Sequence, residues 1–265
     1  MIRNIFQVII ILLLFSGCSK EDSVPEEEGK VIVLMYHRIT NGESSNLYER
    51  SAADFESDLK YLIHNKINVI SFLDLEKIKT SGEMPAGHSA IISFDDGDHS
   101  LYTTAMPLLR KYRMCATFFL WTAMVGRDSF LKWHEITYMS HIILPGGIKP
   151  FTFGSHSCSH QYLHTLRESF STPEEYNAYL DYEFGISRTL IESHTPAPVS
   201  VFSLPFGDGA GEQDIIAAAR RNRYSVVRTS VWGAIDNTGF DLYSIPSLPM
   251  LDTTNPEEIG YLLNN

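Results

Sequence analysis

Residues Val31 to Tyr36, Val-Ile-Val-Leu-Met-Tyr, form an unbroken apolar run with no polar alternation. A strand of that composition must be covered on both faces, as in a parallel sheet packed between helices. Similar runs recur at 67–70, Ser89–Phe94, 115–121, 151–153, 199–204 and 224–228, with a last extended piece at 243–248. Helical patterns separate them. Ser51 with Asp54 opens one, with Phe55, Leu59, Leu62 and Ile63 on its apolar face. Others span 101–111, where Pro107 marks a kink or a late start, 131–141, 173–193 and Gln213–Arg221. Strands alternating with helices in this way predict an α/β fold on a parallel sheet. The polar motifs follow several different strands, which favours a closed (β/α) barrel with its site on the loops at the strands' C-terminal rim. No dinucleotide or phosphate-loop glycine pattern is present.

The first polar motif is Ser93-Phe94-Asp95-Asp96-Gly97. Neighbouring side chains on a strand point to opposite faces, so both carboxylates reach one pocket only where the strand ends and the backbone twists. Gly97 permits that twist, although an ordinary Asp-Gly turn would use the same residues. After the strand at 151–153 comes Gly154-Ser155-His156-Ser157-Cys158-Ser159-His160. Two histidines four apart fall on one face of a helical turn and can share a metal ion. With ten histidines in the chain, pairs arise by chance, as His160 with His164 and His134 with His141 illustrate. What distinguishes His156 and His160 is their place directly after a strand. The third motif, Pro205-Phe206-Gly207, follows the strand at 199–204 and predicts a turn whose backbone amides can face an oxyanion. Trp121, Trp133 and Trp232 fall near strand ends or loops, where they could stack on sugar rings or pack in the core.

The formal net charge of −11 argues against nucleic acid as a partner, because phosphate binding requires clustered Lys and Arg. At the N-terminus, Arg3, Asn4 and the mostly apolar residues 5–15 have the layout of a signal peptide and are too short to cross a bilayer comfortably. Phe15-Ser16-Gly17-Cys18 resembles a bacterial lipobox, with Phe15 where leucine is usual. The expected organisation is a signal peptide at 1–17, an acidic tether lipidated on Cys18 at 18–30, and one domain at 31–265. This places the protein on a membrane of the bacterial cell envelope, periplasmic or surface-facing. Of the remaining cysteines, Cys115 opens an apolar strand and Cys158 lies within the histidine motif; a bridge between them has no support in their spacing.

Taken in order, these motifs resemble the polysaccharide deacetylase family, the NodB-homology metal-dependent carbohydrate esterases. The match begins at Val33-Leu34-Met35-Tyr36-His37-Arg38-Ile39 and takes in the aspartate pair, Ala116-Thr117-Phe118-Phe119, Leu131-Lys132-Trp133-His134-Glu135-Ile136, the histidine pair and Pro205-Phe206-Gly207. The resemblance implies a distorted (β/α) barrel, usually of seven strands, and a divalent metal. Asp96, His156 and His160 would be its ligands and Asp95 the general base. The backbone N–H of Phe206, in the turn begun by Pro205, would hold the oxyanion. Zinc is the default metal, with cobalt, nickel or iron(II) as alternatives. The implied substrate is an acetylated polysaccharide or oligosaccharide, carrying N- or O-linked acetyl groups.

Two family features are absent from their usual places. Ser203 stands where an arginine often orients the catalytic aspartate, and residues 245–251 lack the histidine that protonates the leaving group. Arg228 is a candidate replacement for the arginine, and His37 for the acid. An ester needs less help from an acid than an amide does, so the gap tilts the expectation towards O-deacetylation. The same gaps leave a rival, a degenerate carbohydrate-binding lipoprotein on the same barrel that does not turn over.

Overall fold

The computed structural model describes residues 29–237 and 239–265. The expected signal peptide, Cys18 and the tether up to residue 28 lie outside the described residues. The strands are β1 (Val31–Tyr36), β2 (Arg38–Thr40), β3 (Glu49–Ser51), β4 (Asn68–Val69), β5 (Ser89–Phe94), β6 (Ala116–Leu120), β7 (Phe151–Ser155), β8 (Val201–Ser203), β9 (Val226–Arg228), β10 (Ala234–Ile235) and β11 (Leu248–Pro249). The helices are α1 (Ala52–His64), α2 (Phe72–Ser81), α3 (Met106–Tyr112), α4 (Trp133–Ser140), α5 (Pro173–Glu192), α6 (Gln213–Arg221) and α7 (Glu257–Asn264).

The main sheet runs β10-β1-β5-β6-β7-β8-β9, seven strands on one hydrogen-bonded path, with β4 added to β5 and β11 to β1. β10 pairs antiparallel to β1; the other pairs are parallel. Ile245 bridges to Arg228 of β9, and Leu248 and Pro249 pair with Leu34 and Met35 of β1. The segment between them spans the gap between the two edges, so the sheet curls into an incomplete, distorted barrel, as expected.

The strand period of two then sorts the side chains. Ile32, Leu34 and Tyr36 of β1 pack outward against the helices, with Phe55 and Leu59 of α1 in the same large core. Val31, Val33, Ile91, Phe119, Val201 and Val226 share a second, inner cluster. Counting on by twos from these inner residues gives Asp95 just past the end of β5, Ser203 on β8 and Arg228 on β9. Thr152 (bonded to Thr117 at 2.8 Å) and Gly154 form the same column on β7, and His156 continues it just past the strand's end. A Cβ on Gly154 would lie 2.5 Å from the Phe119 ring, so only glycine lets that ring fill the barrel.

Several expectations need correction. Residues 101–111 are not one α-helix: a π-helical turn at Leu101–Ala105 precedes α3, and Pro107 sits in the first turn of α3, where its missing N–H costs nothing. Ile63 is 53% exposed, and the buried face of α1 carries Asp58 instead. Cys115 and Cys158, between which the sequence supports no bridge, are both free thiols. The short β2–β3 pair and α7 had no clear signal.

Asp58 is held by Arg50 of β3 through bonds of 2.7 and 2.6 Å and by the Tyr36 hydroxyl at 3.0 Å, all three residues being buried. Arg50 also donates to the Leu251 carbonyl at 2.6 Å, which ties the last loop to the barrel rim. Asp58→Ala leaves a guanidinium buried without its counter-charge. Urea unfolding should show a loss of about 3–5 kcal/mol, whereas Tyr36→Phe, which removes one hydrogen bond, should cost about 1 kcal/mol.

Candidate active site

Asp95 and Asp96 enter one cavity by different routes. Asp95 follows the inward parity of β5 and is 2% exposed. Asp96 has the wrong parity, but its backbone adopts φ +68°, and the Gly97 N–H donates to the Asp95 carbonyl at 2.8 Å, closing a three-residue turn around it. Gly97 continues the turn at φ +81°, where a Cβ would also press to 3.1 Å from Leu120 Cδ2.

His156 extends the inward column of β7. Its Nδ1 lies 2.9 Å from the Ser203 carbonyl, which can only accept, so the proton is on Nδ1 and the lone pair on Nε2. That Nε2 lies 3.5 Å from Asp96 Oδ1 and 3.1 Å from His160 Nε2. His160 Nε2 is 3.3 Å from the same Asp96 oxygen. The helical turn expected for this pair does not form: Ser157 and His160 take φ +63° and +55°, and the loop folds His160 back over His156. Of the eight non-glycine residues with positive φ among those described, Asp96, Ser157, His160 and Phe206 belong to this site. Lys66, Arg113 and Arg223 instead follow the ends of α1, α3 and α6, where left-handed backbone is ordinary. Such strain persists only where the surroundings over-determine it.

The three facing atoms of Asp96, His156 and His160 lie within 4.8 Å of one another. Asp96 Oδ1 is buried without a hydrogen-bond partner. With His156 neutral and its proton on Nδ1, the one N–H on His160 Nε2 can point at His156 or at Asp96, so one of these two acceptors is left without a donor. Two imidazole nitrogens and one carboxylate oxygen are a donor set suited to zinc and neighbouring divalent ions. Burial pushes the His156 pKa down to about 4 against the pull of Asp95 and Asp96, which keeps the imidazole in its ligating, neutral form. Burial opposes ionisation of Asp96, but His160 and His156 hold its carboxyl far below the usual range.

Asp95 stands behind this group, its Oδ2 3.8 Å from His156 Nε2. Arg228, fully buried, donates to both Asp95 oxygens and to Ser203 Oγ, and the Ser203 hydroxyl faces Asp95 at 3.3 Å. Arg228 therefore fills the role that Ser203 leaves open. Its guanidinium also lies 5.4 Å over the Phe119 ring. Burial by itself raises the Asp95 carboxyl; Arg228, then His156 and His37, reverse this and hold it below its ordinary value.

The cavity of 660 Å³ takes in all five of these charged and imidazole side chains, with His37, Phe206, Trp232 and the apolar wall of Pro249 and Leu251. His37, at the end of β1, packs against Tyr48 with ring centres 5.0 Å apart. Pro205 is buried under its turn and does not line the cavity, whereas Phe206 is half exposed at φ +58°. The Phe206 ring lies 4.6 Å from His160 and stacks on Tyr162 at 4.0 Å. Trp232 is exposed at the mouth and Trp121 stacks on His160. Trp133 packs against His194 and does not line the cavity, so its expected sugar contact is not made. Glu183 of α5, 1% exposed, was missed; it accepts from the Cys158 and Ser159 backbone amides between the two histidines. A signal existed, because Glu183 falls on the apolar face marked by Tyr176, Leu180 and Phe184, where a carboxylate needs a reason.

A family model described as "Polysaccharide deacetylase" matches residues 83–227. YxkH of Bacillus subtilis (strain 168) is 26% identical over 209 residues, which cover 79% of this chain and 67% of that relative. The poly-beta-1,6-N-acetyl-D-glucosamine N-deacetylase of Staphylococcus aureus (strain MSSA476) is 30% identical over 117 residues, 39% of this chain and 40% of its own length. The chain therefore spans about two fifths of that relative. Among solved structures, the Streptococcus pyogenes deacetylase PplD in complex with acetate superposes with a TM-score of 0.75 at 19% identity, covering 89% of this chain and 99% of that one.

Arg228→Met removes the guanidinium that touches Asp95 and leaves burial to dominate, so the Asp95 pKa should rise above the ordinary carboxylate range. In the native protein the depressed pKa gives stability that is complete above the unfolded carboxylate value and lost as pH falls through the folded one. The variant should lose about 3–5 kcal/mol at pH 7, and less at lower pH, where Asp95 takes up a proton. Denaturant titrations at both pH values, with a carboxyl NMR titration, measure this; equal stability at pH 7 would contradict the role given to Arg228.

Proposed function

The chain belongs to the polysaccharide deacetylase family, whose members are hydrolases, and from that premise we propose that it removes N-acetyl groups from a polymer of the poly-β-1,6-N-acetylglucosamine type. The observation that carries this reading is the convergence of Asp96, His156 and His160 within 4.8 Å, with the ionised Asp95 directly behind them. The name of the staphylococcal relative supports the choice of polymer.

Asp96, His156 and His160 are the residues that would hold a divalent cation, zinc by default and cobalt, nickel or iron(II) otherwise. When bound, such an ion lowers the pKa of a water molecule and polarises the acetyl carbonyl. Asp95 takes the proton from the attacking water; Arg228 and Ser203 fix its orientation and keep it ionised at neutral pH. The backbone N–H of Phe206 donates to the oxyanion. His37, in the cavity wall, protonates the departing nitrogen, a step that an amide requires. An acid at this place favours N-deacetylation over the ester chemistry that its apparent lack favoured. Arg228 likewise removes the main ground for a degenerate, binding-only barrel, since Asp95 has its orienting cation. In this reading a lipid on Cys18 and the acidic tether keep the domain at the bacterial envelope, beside its polymer.

Acetate release from poly-N-acetylglucosamine oligomers tests this directly. Activity should vanish on chelation and return with added zinc, cobalt or nickel. Asp95→Asn should lower kcat by about 10²–10⁴ while retaining metal binding, and His156→Ala should lose both. Full activity in both variants would sink the assignment.

A further inference from the structure

Between β7 and the 3₁₀ turn at Thr165–Ser169 the chain carries His156, His160 and Tyr162 with no helix or strand beneath them. Loops of this kind are normally the least determined parts of a fold, yet this one holds two left-handed non-glycine residues, Ser157 and His160. Left-handed backbone at a residue with a Cβ is strained, so something must hold the segment in place.

Two carboxylates do so, in the same way. Glu183, on the buried face of α5, accepts from the Cys158 N–H at 2.9 Å, the Ser159 N–H at 2.8 Å and the Ser159 hydroxyl at 2.6 Å. Asp208, the residue after the Pro205–Gly207 turn, accepts from the His164 N–H at 2.6 Å, the Thr165 N–H at 2.9 Å and the Thr165 hydroxyl at 2.9 Å. Each acceptor takes two consecutive backbone amides and the hydroxyl of the second residue. Bonds to an ionised acceptor are roughly twice as strong as neutral ones.

We propose that Glu183 and Asp208 are positioning residues with separate tasks, Glu183 for the metal ligand and Asp208 for the substrate wall; the first task rests on the metal-dependent reading above. Glu183 holds Ser159, the immediate neighbour of His160, and its two amide bonds lie between the two strained residues. Fixing that dipeptide fixes the direction in which the His160 ring leaves the chain. The His160 N–H is further held by Ser157 Oγ at 2.9 Å, and Ser157 N–H by Ser155 Oγ at 3.1 Å, so the whole ligand loop closes on itself above Glu183. Asp208 holds the other end, beyond Tyr162. Its own N–H donates to the Pro205 carbonyl at 3.0 Å, so it joins the Phe206 turn rigidly to residues 164–165. The Tyr162–Phe206 stack, half exposed at the cavity, is the product of that junction.

The test uses the whole protein, stripped of metal, in three forms: wild type, Glu183→Gln and Asp208→Asn. Both substitutions keep shape and remove the negative charge, so the two backbone amides lose their ionised acceptor even where the amide oxygen still faces them. Zinc binding to the metal-free proteins by calorimetry, and kcat and KM of the zinc-saturated enzymes on N-acetylglucosamine oligomers, are read in parallel. Glu183→Gln should bind zinc about 10–100-fold more weakly, with KM within about twofold of wild type once saturated. Asp208→Asn should leave the zinc affinity within about twofold and raise KM roughly tenfold, as expected for about 1.4 kcal/mol of lost wall contacts. Should Glu183→Gln fail to fold, Ser159→Ala removes one of the three bonds and should move zinc affinity in the same direction by less. Equal effects of both variants on zinc affinity, or shifts in melting temperature alone, would overturn the division of tasks. A wild-type protein that takes up no zinc, cobalt or nickel overturns the metal reading itself and the task assigned to Glu183. The Asp208 task then stands or falls on oligomer affinity alone.

Discussion

Arg228 and Asp95 are two charges withdrawn from water, with side chains 1% and 3% exposed. Desolvation of such a pair costs several kcal/mol per ion and is offset only where the geometry is good and the remaining donors and acceptors are met. Ser203 supplies part of that second condition, and Phe119 gives the guanidinium a ring to lie on. The pair also joins β5 to β9 across the barrel interior, between residues separated by 133 positions in the chain. An open doubly wound sheet would leave these two strands too far apart to share a carboxylate. The site is therefore a consequence of curvature, and the ion pair marks where the curvature is completed.

The same pair sets a tension in the chemistry. A carboxylate held below its ordinary pKa is reliably ionised but is a weaker base. As the base of the proposed reaction, Asp95 is thus well placed and always available rather than intrinsically strong, gaining by orientation what it gives up in basicity.

Much of this was legible in the sequence because it obeys a period. The unalternating runs at Val31–Tyr36 and Ser89–Phe94 read as buried strands, and both are. Asp95, His156 and Arg228 stand at strand ends with inward parity, so their convergence follows once the sheet curls. What broke the period was harder to read. Asp96 has outward parity and reaches the cavity only through a left-handed turn. The four-residue spacing of His156 and His160 fits a helix, but two imidazoles converge equally well from a strained loop, and spacing alone cannot tell these apart. Partners remote in sequence were harder still: Arg228 was visible only as a candidate, and Glu183 sat unnoticed in a helix with an otherwise ordinary apolar face. The strands of two or three residues, such as β2 and β10, carry too few side chains to show any period.

The way the barrel closes also bears on when it can close. β1, near the start of the described chain, takes its parallel partner β11 from near the end, and the bridge from Ile245 to Arg228 lies in the same late segment. During synthesis the first strand therefore waits, with one edge unpaired, for almost everything that follows it. A lone apolar edge of that kind invites pairing with other chains. Assembly from contacts so distant in sequence is slow. Until residues 242–250 arrive, the Leu34–Met35 part of that edge of β1 has nothing in the chain to pair with, and removing those residues would leave it open for good.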